Sequence, residues 1–289
     1  MALLIQPSTR RNFLLSGAAA VAASTLHAAG KSVRWALLSD VHIPADPSNS
    51  YRGFKPFANF ERVVPHLVEW EPEAIHINGD IARQHGNAAE YQSCRQLIDP
   101  LAARIPVALG LGNHDNRDEF QAAFAKPAGE RQPVKGKHVT VVRSGPVRLV
   151  FLDSQFIVDQ VPGLLGRAQR EWLDGYLRQD PSTPTLLFVH HTLEDEDGAL
   201  LDAERLLRIA AAHRGVKAIF YGHSHQYKYG VHEGVHLVNL PAVAYNFTDD
   251  QPTGWVAAEF TATGCDLKLH ATGGNQSGDG KSRSLAWRG

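Results

Sequence analysis

Five short segments carry side chains of the kinds that ligate metal ions: Asp40-Val41-His42, Gly79-Asp80, Gly112-Asn113-His114-Asp115, His190-His191 and Gly222-His223-Ser224-His225. Carboxylate, neutral amide oxygen and imidazole nitrogen make a mixed N/O donor set, which suits Zn, Mn or Fe better than Ca or Mg. Asp40 and His42 stand two residues apart, so on an extended strand end they would point to the same side. Asp80 offers a carboxylate able to bridge two ions. The glycines before Asp80, Asn113 and His223 are expected to let the backbone turn tightly where the ligands approach. A lone histidine is usually a satisfied structural residue. Five such segments in series point instead to a metal centre.

Each segment follows an apolar run: Val33–Leu38, Ala74–Ile77, Pro106–Leu109, Thr185–Val189 and Val216–Tyr221. Runs of this length and composition suit strands buried on both faces, and ligands placed where they stop converge on one sheet edge. Phe57, Phe60, Val63, Val64, Leu67 and Val68 share one helical face, closed by Trp70-Glu71-Pro72. Tyr91, Cys94, Ile98 and Leu101 form a second helical stripe. A strand pair is expected at 138–143 and 147–152, joined by a turn at Ser144-Gly145-Pro146. Helices follow around 167–178 and 202–212, and beyond Gly222 the pattern is mostly β. The fold class is therefore α/β, in one domain spanning 31–272. The stretch 273–289 is rich in Gly and Ser and reads as a disordered tail.

The 289 residues can bury a substantial core, and a net charge of −1 gives no polyanion-binding surface, so nucleic acid is not an expected partner. Cys94 and Cys265 match no zinc spacing and read as two buried thiols. At the N-terminus, Arg10-Arg11-Asn12-Phe13-Leu14 precedes a run of small apolar residues, and 1–29 reads as a twin-arginine signal peptide. Its apolar part is too short for a stable membrane anchor. The twin-arginine export machinery is thus an expected partner, and the periplasm or the cell exterior the expected location.

In order, the segments read D-x-H, G-D, G-N-H-D, H-H and G-H-x-H. This resembles the calcineurin-like metallophosphoesterase superfamily over residues 34 to about 225, and within it the class III cyclic-nucleotide and glycerophosphodiester phosphodiesterases. The resemblance implies a four-layer αββα sandwich of two mixed sheets, with the metal site at strand C-terminal ends. It implies one metal held by Asp40, His42, Asp80 and His225, and a second by Asp80, Asn113, His190 and His223. His114 would face the substrate phosphate, as proton donor to the leaving oxygen or as charge stabiliser, and Asp115 would orient it. Purple acid phosphatases resemble this layout but carry Tyr where this chain has Arg83, which argues against an iron-tyrosinate centre.

Two divalent ions bring about four positive charges; Asp40 and Asp80 remove two and a bridging hydroxide one, leaving roughly one to meet a phosphodiester anion. The implied activity is hydrolysis of small phosphodiesters by attack of a metal-bound hydroxide. The competing readings are a phosphomonoesterase on the same centre and a catalytically silent metal- or phosphate-binding module. Around the centre, His76 reads as a packing residue inside a strand. His191 is open between substrate contact and hydrogen-bonding support, and His85 between pocket wall and surface loop. Asp153-Ser154 either reaches the site or starts a turn, and Tyr245-Asn246-Phe247 frames either a pocket or a subunit contact. Glu194-Asp195-Glu196-Asp197 reads as a solvated loop. Oligomeric state is left open.

Overall fold

The computed structural model describes residues 32–125 and 128–289. The twin-arginine segment lies outside these residues. Strands and helices follow in the order β1 (Val33–Leu38), α1 (Pro56–Trp70), β2 (Ala74–Ile77), α2 (Ala88–Ala102), β3 (Val107–Leu109), α3 (Arg117–Ala123), β4 (Glu130–Arg131), β5 (Thr140–Ser144), β6 (Val147–Phe151), α4 (Arg167–Gln179), β7 (Thr185–Phe188), α5 (Ala203–Ala212), β8 (Val216–Tyr221), β9 (Lys228–His232), β10 (Val235–Asn239), β11 (Pro252–Phe260), β12 (Gly264–Gly274) and β13 (Ser282–Ala286). One sheet has the order β13-β12-β11-β1-β2-β3 and the other β4-β5-β6-β7-β8-β10-β9. Each joins a parallel group (β1-β2-β3; β6-β7-β8-β10) to antiparallel neighbours.

The alternation of strand side chains builds three apolar layers. Val33, Trp35 and Leu37 meet Leu149, Phe151, Leu186 and Phe188 between the sheets. Ala36 and Leu38 face the other way, into a cluster with Phe60, Val63 and Leu67 of α1 and Cys94 and Ile98 of α2. Leu187 and Val189 pack outward on Leu173 and Leu177 of α4 and Leu206 of α5. The result is helix, sheet, sheet, helix. Strands buried on both faces explain the near-continuous apolar runs. Helix α1 starts on Pro56 and stops at Glu71, whose φ of 50° is left-handed. Asn87 and Glu90 form a reciprocal capping box at the start of α2.

Two observations differ from the sequence reading. The stretch after Gly273 is ordered: β13 pairs antiparallel with β12, and Leu285 is buried between the sheets. An edge strand open to solvent on one face needs only one such apolar residue, which composition does not register. A short helix, α3, went unread because only Phe120 on it is buried. Cys94 and Cys265 are both free and buried, as expected.

Candidate metal centre

Parallel strands put their C-terminal ends on one edge, and every ligand segment begins there. Asp40, His42, Asp80, Asn113, His190 and His225 are all 2% exposed or less. The backbone that carries them is not extended strand. Asp40 (φ 55°), His42 (44°), Asp80 (47°), His223 (71°) and His225 (54°) are all left-handed. Asp40 and His42 therefore reach the site from successive left-handed turns after β1, not as alternate residues of a strand. Left-handed non-glycine residues cost roughly 1–2 kcal/mol each and persist where surrounding contacts fix them. Gly79 carries the expected turn (φ 90°), but Gly112 and Gly222 have another task. A Cβ on Gly112 would strike the Asp80 carboxylate and amide, and one on Gly222 the Ser39 hydroxyl and Asp40 Oδ2.

Backbone carbonyls hold three of the imidazoles at this edge, and the His190 contact ties one sheet to the other. His190 Nδ1 donates to Asn78 O (2.8 Å), His225 Nδ1 to Tyr245 O (2.6 Å) and His42 Nδ1 to Arg83 O (3.4 Å). A carbonyl can only accept, so these contacts fix Nδ1–H and leave Nε2 as the ring nitrogen turned inward, the atom that would ligate a metal in place of a proton. His42 Nε2 and His225 Nε2 stand 3.1 Å apart. Asp80 Oδ2 lies 3.5 Å from His42 Nε2 and 3.3 Å from His190 Nε2, so it is shared by two sides of the cluster. Asp40 Oδ1 lies 3.4 Å from His225 Nε2 and 3.8 Å from His190 Nε2. Ligand atoms about 2.1 Å from one ion stand roughly 3.0–3.4 Å from each other, close to these spacings. Asp40-His42-His225, His42-Asp80-His114 and Asp80-His190-His223 each form a compact donor group.

The donors fit a pair of divalent ions on three counts. Asp40 Oδ1, Asn113 Oδ1 and His190 Nε2 are buried with no hydrogen-bond partner among the described residues. His42 Nε2 and His225 Nε2 face each other at 3.1 Å with both Nδ1 atoms already turned to carbonyls, a pairing that a cation shared between them satisfies. The charges call for cations too. Burial opposes ionisation of Asp40 and Asp80, yet His190 with His225, and His190 with His114, hold both carboxyls below the usual range. Burial opposes charge on His190 as well, but Asp80 and Asp40 push it up to about 10. Burial, with His225 and His114 beside it, holds His42 down to about 3.

His114 sits at the rim, with its side chain 21% exposed and its ring edge-on to His42 at 5.3 Å. Its backbone N–H donates to Asp80 Oδ1 (2.9 Å). The expectation that Asp115 orients His114 is not met. The Asp115 carboxylate is turned away, accepting from the amides of Ile81 (3.2 Å), Ala82 (3.1 Å) and Gly112 (2.9 Å) and from the Tyr91 hydroxyl (3.0 Å). It ties the Asp80 loop to the Asn113 loop. His114 Nδ1 instead faces Gln84 O (3.0 Å) and Asp159 Oδ1 (3.2 Å). Asp159 lies in a loop with no motif, and no sequence signal marks it.

The open positions resolve as follows. His76 is fully buried between the sheets, stacked on Phe151 at 4.1 Å. His191 is buried, and its Nδ1 bonds the Ser154 hydroxyl (2.7 Å). Asp153 takes a two-point ion pair from Arg117 (2.6 and 2.9 Å) and anchors the loop that follows β6. His85 is 58% exposed and faces Asp159. Tyr245 frames the site, stacked on His42 at 5.0 Å, and Phe247 stacks on His225 at 4.3 Å. Arg83 lays its guanidinium over Tyr51 at 4.2 Å.

A doubly sandwiched α/β core with a two-sided Asp/His/Asn cluster at its strand ends defines a class of metal-dependent phosphoesterases. Residues 33–227 match the calcineurin-like phosphoesterase family, and the chain belongs to it. A probable cyclic nucleotide phosphodiesterase of Synechococcus sp. is 28% identical over 237 residues, covering 79% of this chain and 88% of that one. The 3′,5′-cyclic adenosine monophosphate phosphodiesterase of Escherichia coli is 30% identical over 260 residues, covering 83% and 90%. In fold, the chain is similar to a dimetal phosphatase from Danio rerio, with TM-score 0.70 at 14% identity, covering 89% of this chain and 99% of that one.

Proposed function

We propose that this protein is an exported, dinuclear metal-dependent hydrolase of small phosphodiesters. The observation that carries the reading is Asp80: one of its oxygens faces both the His42 and the His190 sides, so a single carboxylate could serve two ions. Two divalent ions bound there would neutralise phosphoryl charge and lower the pKa of an attacking water. Asp40, His42, Asp80 and His225 would hold one, and Asp80, Asn113, His190 and His223 the other.

This chain's residues supply the rest. Backbone carbonyls of Arg83, Asn78 and Tyr245 fix the imidazole ligands in place, so the site is set before substrate arrives. His114, outside both ligand sets, addresses the ester oxygens and gives a proton to the departing one. The diester assignment is supported by the two relatives whose names state cyclic nucleotides and which the chain spans almost end to end. Export is supported by Arg10-Arg11 and the small apolar run behind them. Zn, Mn and Fe all suit the donor set.

The test compares bis(para-nitrophenyl) phosphate with para-nitrophenyl phosphate on protein whose metal content has been measured. Faster turnover of the diester is expected. A strong monoester preference overturns the diester reading, and no hydrolysis of either with both metals bound leaves the silent binding module. On a diester with a more basic leaving group, methyl phenyl phosphate, His114→Ala should lower turnover by roughly 10²–10⁴-fold with metal content unchanged; loss of metal would remove its assigned role. Replacing Arg10 and Arg11 by Lys should keep a reporter fused to residues 1–31 inside the cell.

A further inference from the structure

We infer that Asp159, from the loop after β6, is the residue that positions His114 for proton transfer to the leaving oxygen. The inference rests on the reading that His114 acts on substrate. Asp159 holds the Asn113-His114 turn at two points. Its backbone N–H donates to Asn113 O (2.8 Å), and Oδ1 meets His114 Nδ1 at 3.2 Å. Oδ2 faces His85 Nδ1 at 3.4 Å. With Gln84 O on the same ring nitrogen at 3.0 Å, Nδ1 has acceptors alone around it and must carry the hydrogen. The ring is thereby oriented with Nδ1 keeping its own hydrogen. The proton given to the leaving oxygen is the one on Nε2 of the doubly protonated ring, which is left in its neutral Nδ1–H form.

The loop is firm enough for this task. Asp153 at its root takes the Arg117 ion pair, and Lys137 Nζ donates to Gln155 O (2.8 Å) and Leu164 O (2.7 Å), closing both ends. Asp159 itself is left-handed (φ 60°), a conformation rare for a side-chain-bearing residue and tolerated by Asp. That turn is what lets amide and carboxylate reach the same neighbour. Asp159 is 34% exposed, so its charge is partly screened and its main effect is on ring orientation.

Proton donation matters more as the leaving group becomes more basic. The experiment therefore uses methyl para-nitrophenyl phosphate and methyl phenyl phosphate, which differ chiefly in leaving-group basicity. Asp159→Gly keeps the left-handed backbone and the amide to Asn113 while removing the carboxylate. On the phenyl ester it should lower kcat roughly tenfold with little change in KM. On the nitrophenyl ester the fall should be less than about twofold, and metal content should not change. In a His114→Ala background the substitution should add nothing further. Asp159→Asn, which keeps an acceptor oxygen, should lie between the glycine variant and the wild-type protein. An equal loss on both esters, an additive loss with His114→Ala, or a change confined to KM overturns the inference. If His114→Ala itself shows the leaving-group dependence and Asp159→Gly does not, the inference fails while the role of His114 stands. If His114→Ala shows none, that role fails and the inference with it.

Discussion

At the scale of single residues, the Asp115 carboxylate holds the Asp80 loop against the Asn113 loop, and Gly112 leaves the space that the Asp80 carboxylate fills. Donor chemistry of this kind was legible in the sequence, and its geometry was not. Asp, His and Asn in five segments announced a metal site because no other common use collects those atoms in that order. The left-handed backbone at Asp40, His42, Asp80, His223 and His225 left no trace, since it falls on the ligands rather than on glycines. Asp115 was misread because adjacency in sequence says little about where a carboxylate points. Its four donors come from Ile81, Ala82, Gly112 and Tyr91, most of them a loop away. Asp115→Ala should therefore act on the fold, leaving buried amides unpaired and costing about 3 kcal/mol in urea unfolding. A variant equally stable but slower would return Asp115 to the catalytic role. Gly112→Ala tests the close approach: its methyl would force Asp80 aside. Metal per chain should drop and kcat/KM fall roughly 10–100-fold, read by metal analysis beside kinetics.

At the scale of elements, the strands that end on ligands were readable because burial on both faces makes them almost wholly apolar. What followed was harder. The C-terminal segment carries one buried apolar side chain, Leu285, yet it is held by main-chain pairing and by Arg288. The Arg288 guanidinium donates to the carbonyls of Ala210 (2.7 Å), Ala211 (3.3 Å) and His213 (2.7 Å) at the end of α5, to Val216 O (3.1 Å) and to Glu233 O (2.9 Å). The last turn of a helix leaves its carbonyls unpaired and concentrates partial negative charge, which a cation satisfies on both counts. Arg288→Ala should lower stability by about 2 kcal/mol, seen as a lower urea midpoint with an unchanged slope. Hydrogen exchange should quicken at β13 and the end of α5 and stay slow at the metal edge. Uniform loss of protection would mean that the C-terminal strap is not a separate unit.

At the scale of the whole molecule, the two sheets meet over a largely apolar layer that encloses the ring of His76. Its ring is fully buried, stacked on Phe151 and edge-on to Phe188 at 4.8 Å. The sequence showed it as a histidine inside a strand; only the packing of sheet on sheet shows that protonating it would place a charge at the centre of the protein. Burial holds its pKa down to about 4 from 6.5, against hydrogen bonds to Asn78 and Ala108 that pull upward. The sign follows from proton counts. Above pH 6.5 the ring is neutral whether the chain is folded or not, and stability is at its full value. Between 6.5 and about 4 the unfolded chain takes up a proton that the folded one refuses, so stability falls as pH falls. The loss levels off below about 4, where it amounts to something on the order of 3 kcal/mol. Acid also releases metal ligands, so the measurement must be a difference between two proteins with the same centre. His76→Phe keeps a ring between Phe151 and Phe188 and removes the titration. At about pH 7 it should be the less stable protein, because the single N–H that the neutral ring donates to one of its two neighbouring acceptors, Ala108 O or Asn78 Oδ1, is lost. As pH is lowered toward about 4.5, its deficit in urea unfolding should shrink and then reverse. A deficit that stays constant across that range would mean His76 carries a proton inside the fold, and the layer between the sheets would have to hold a buried charge.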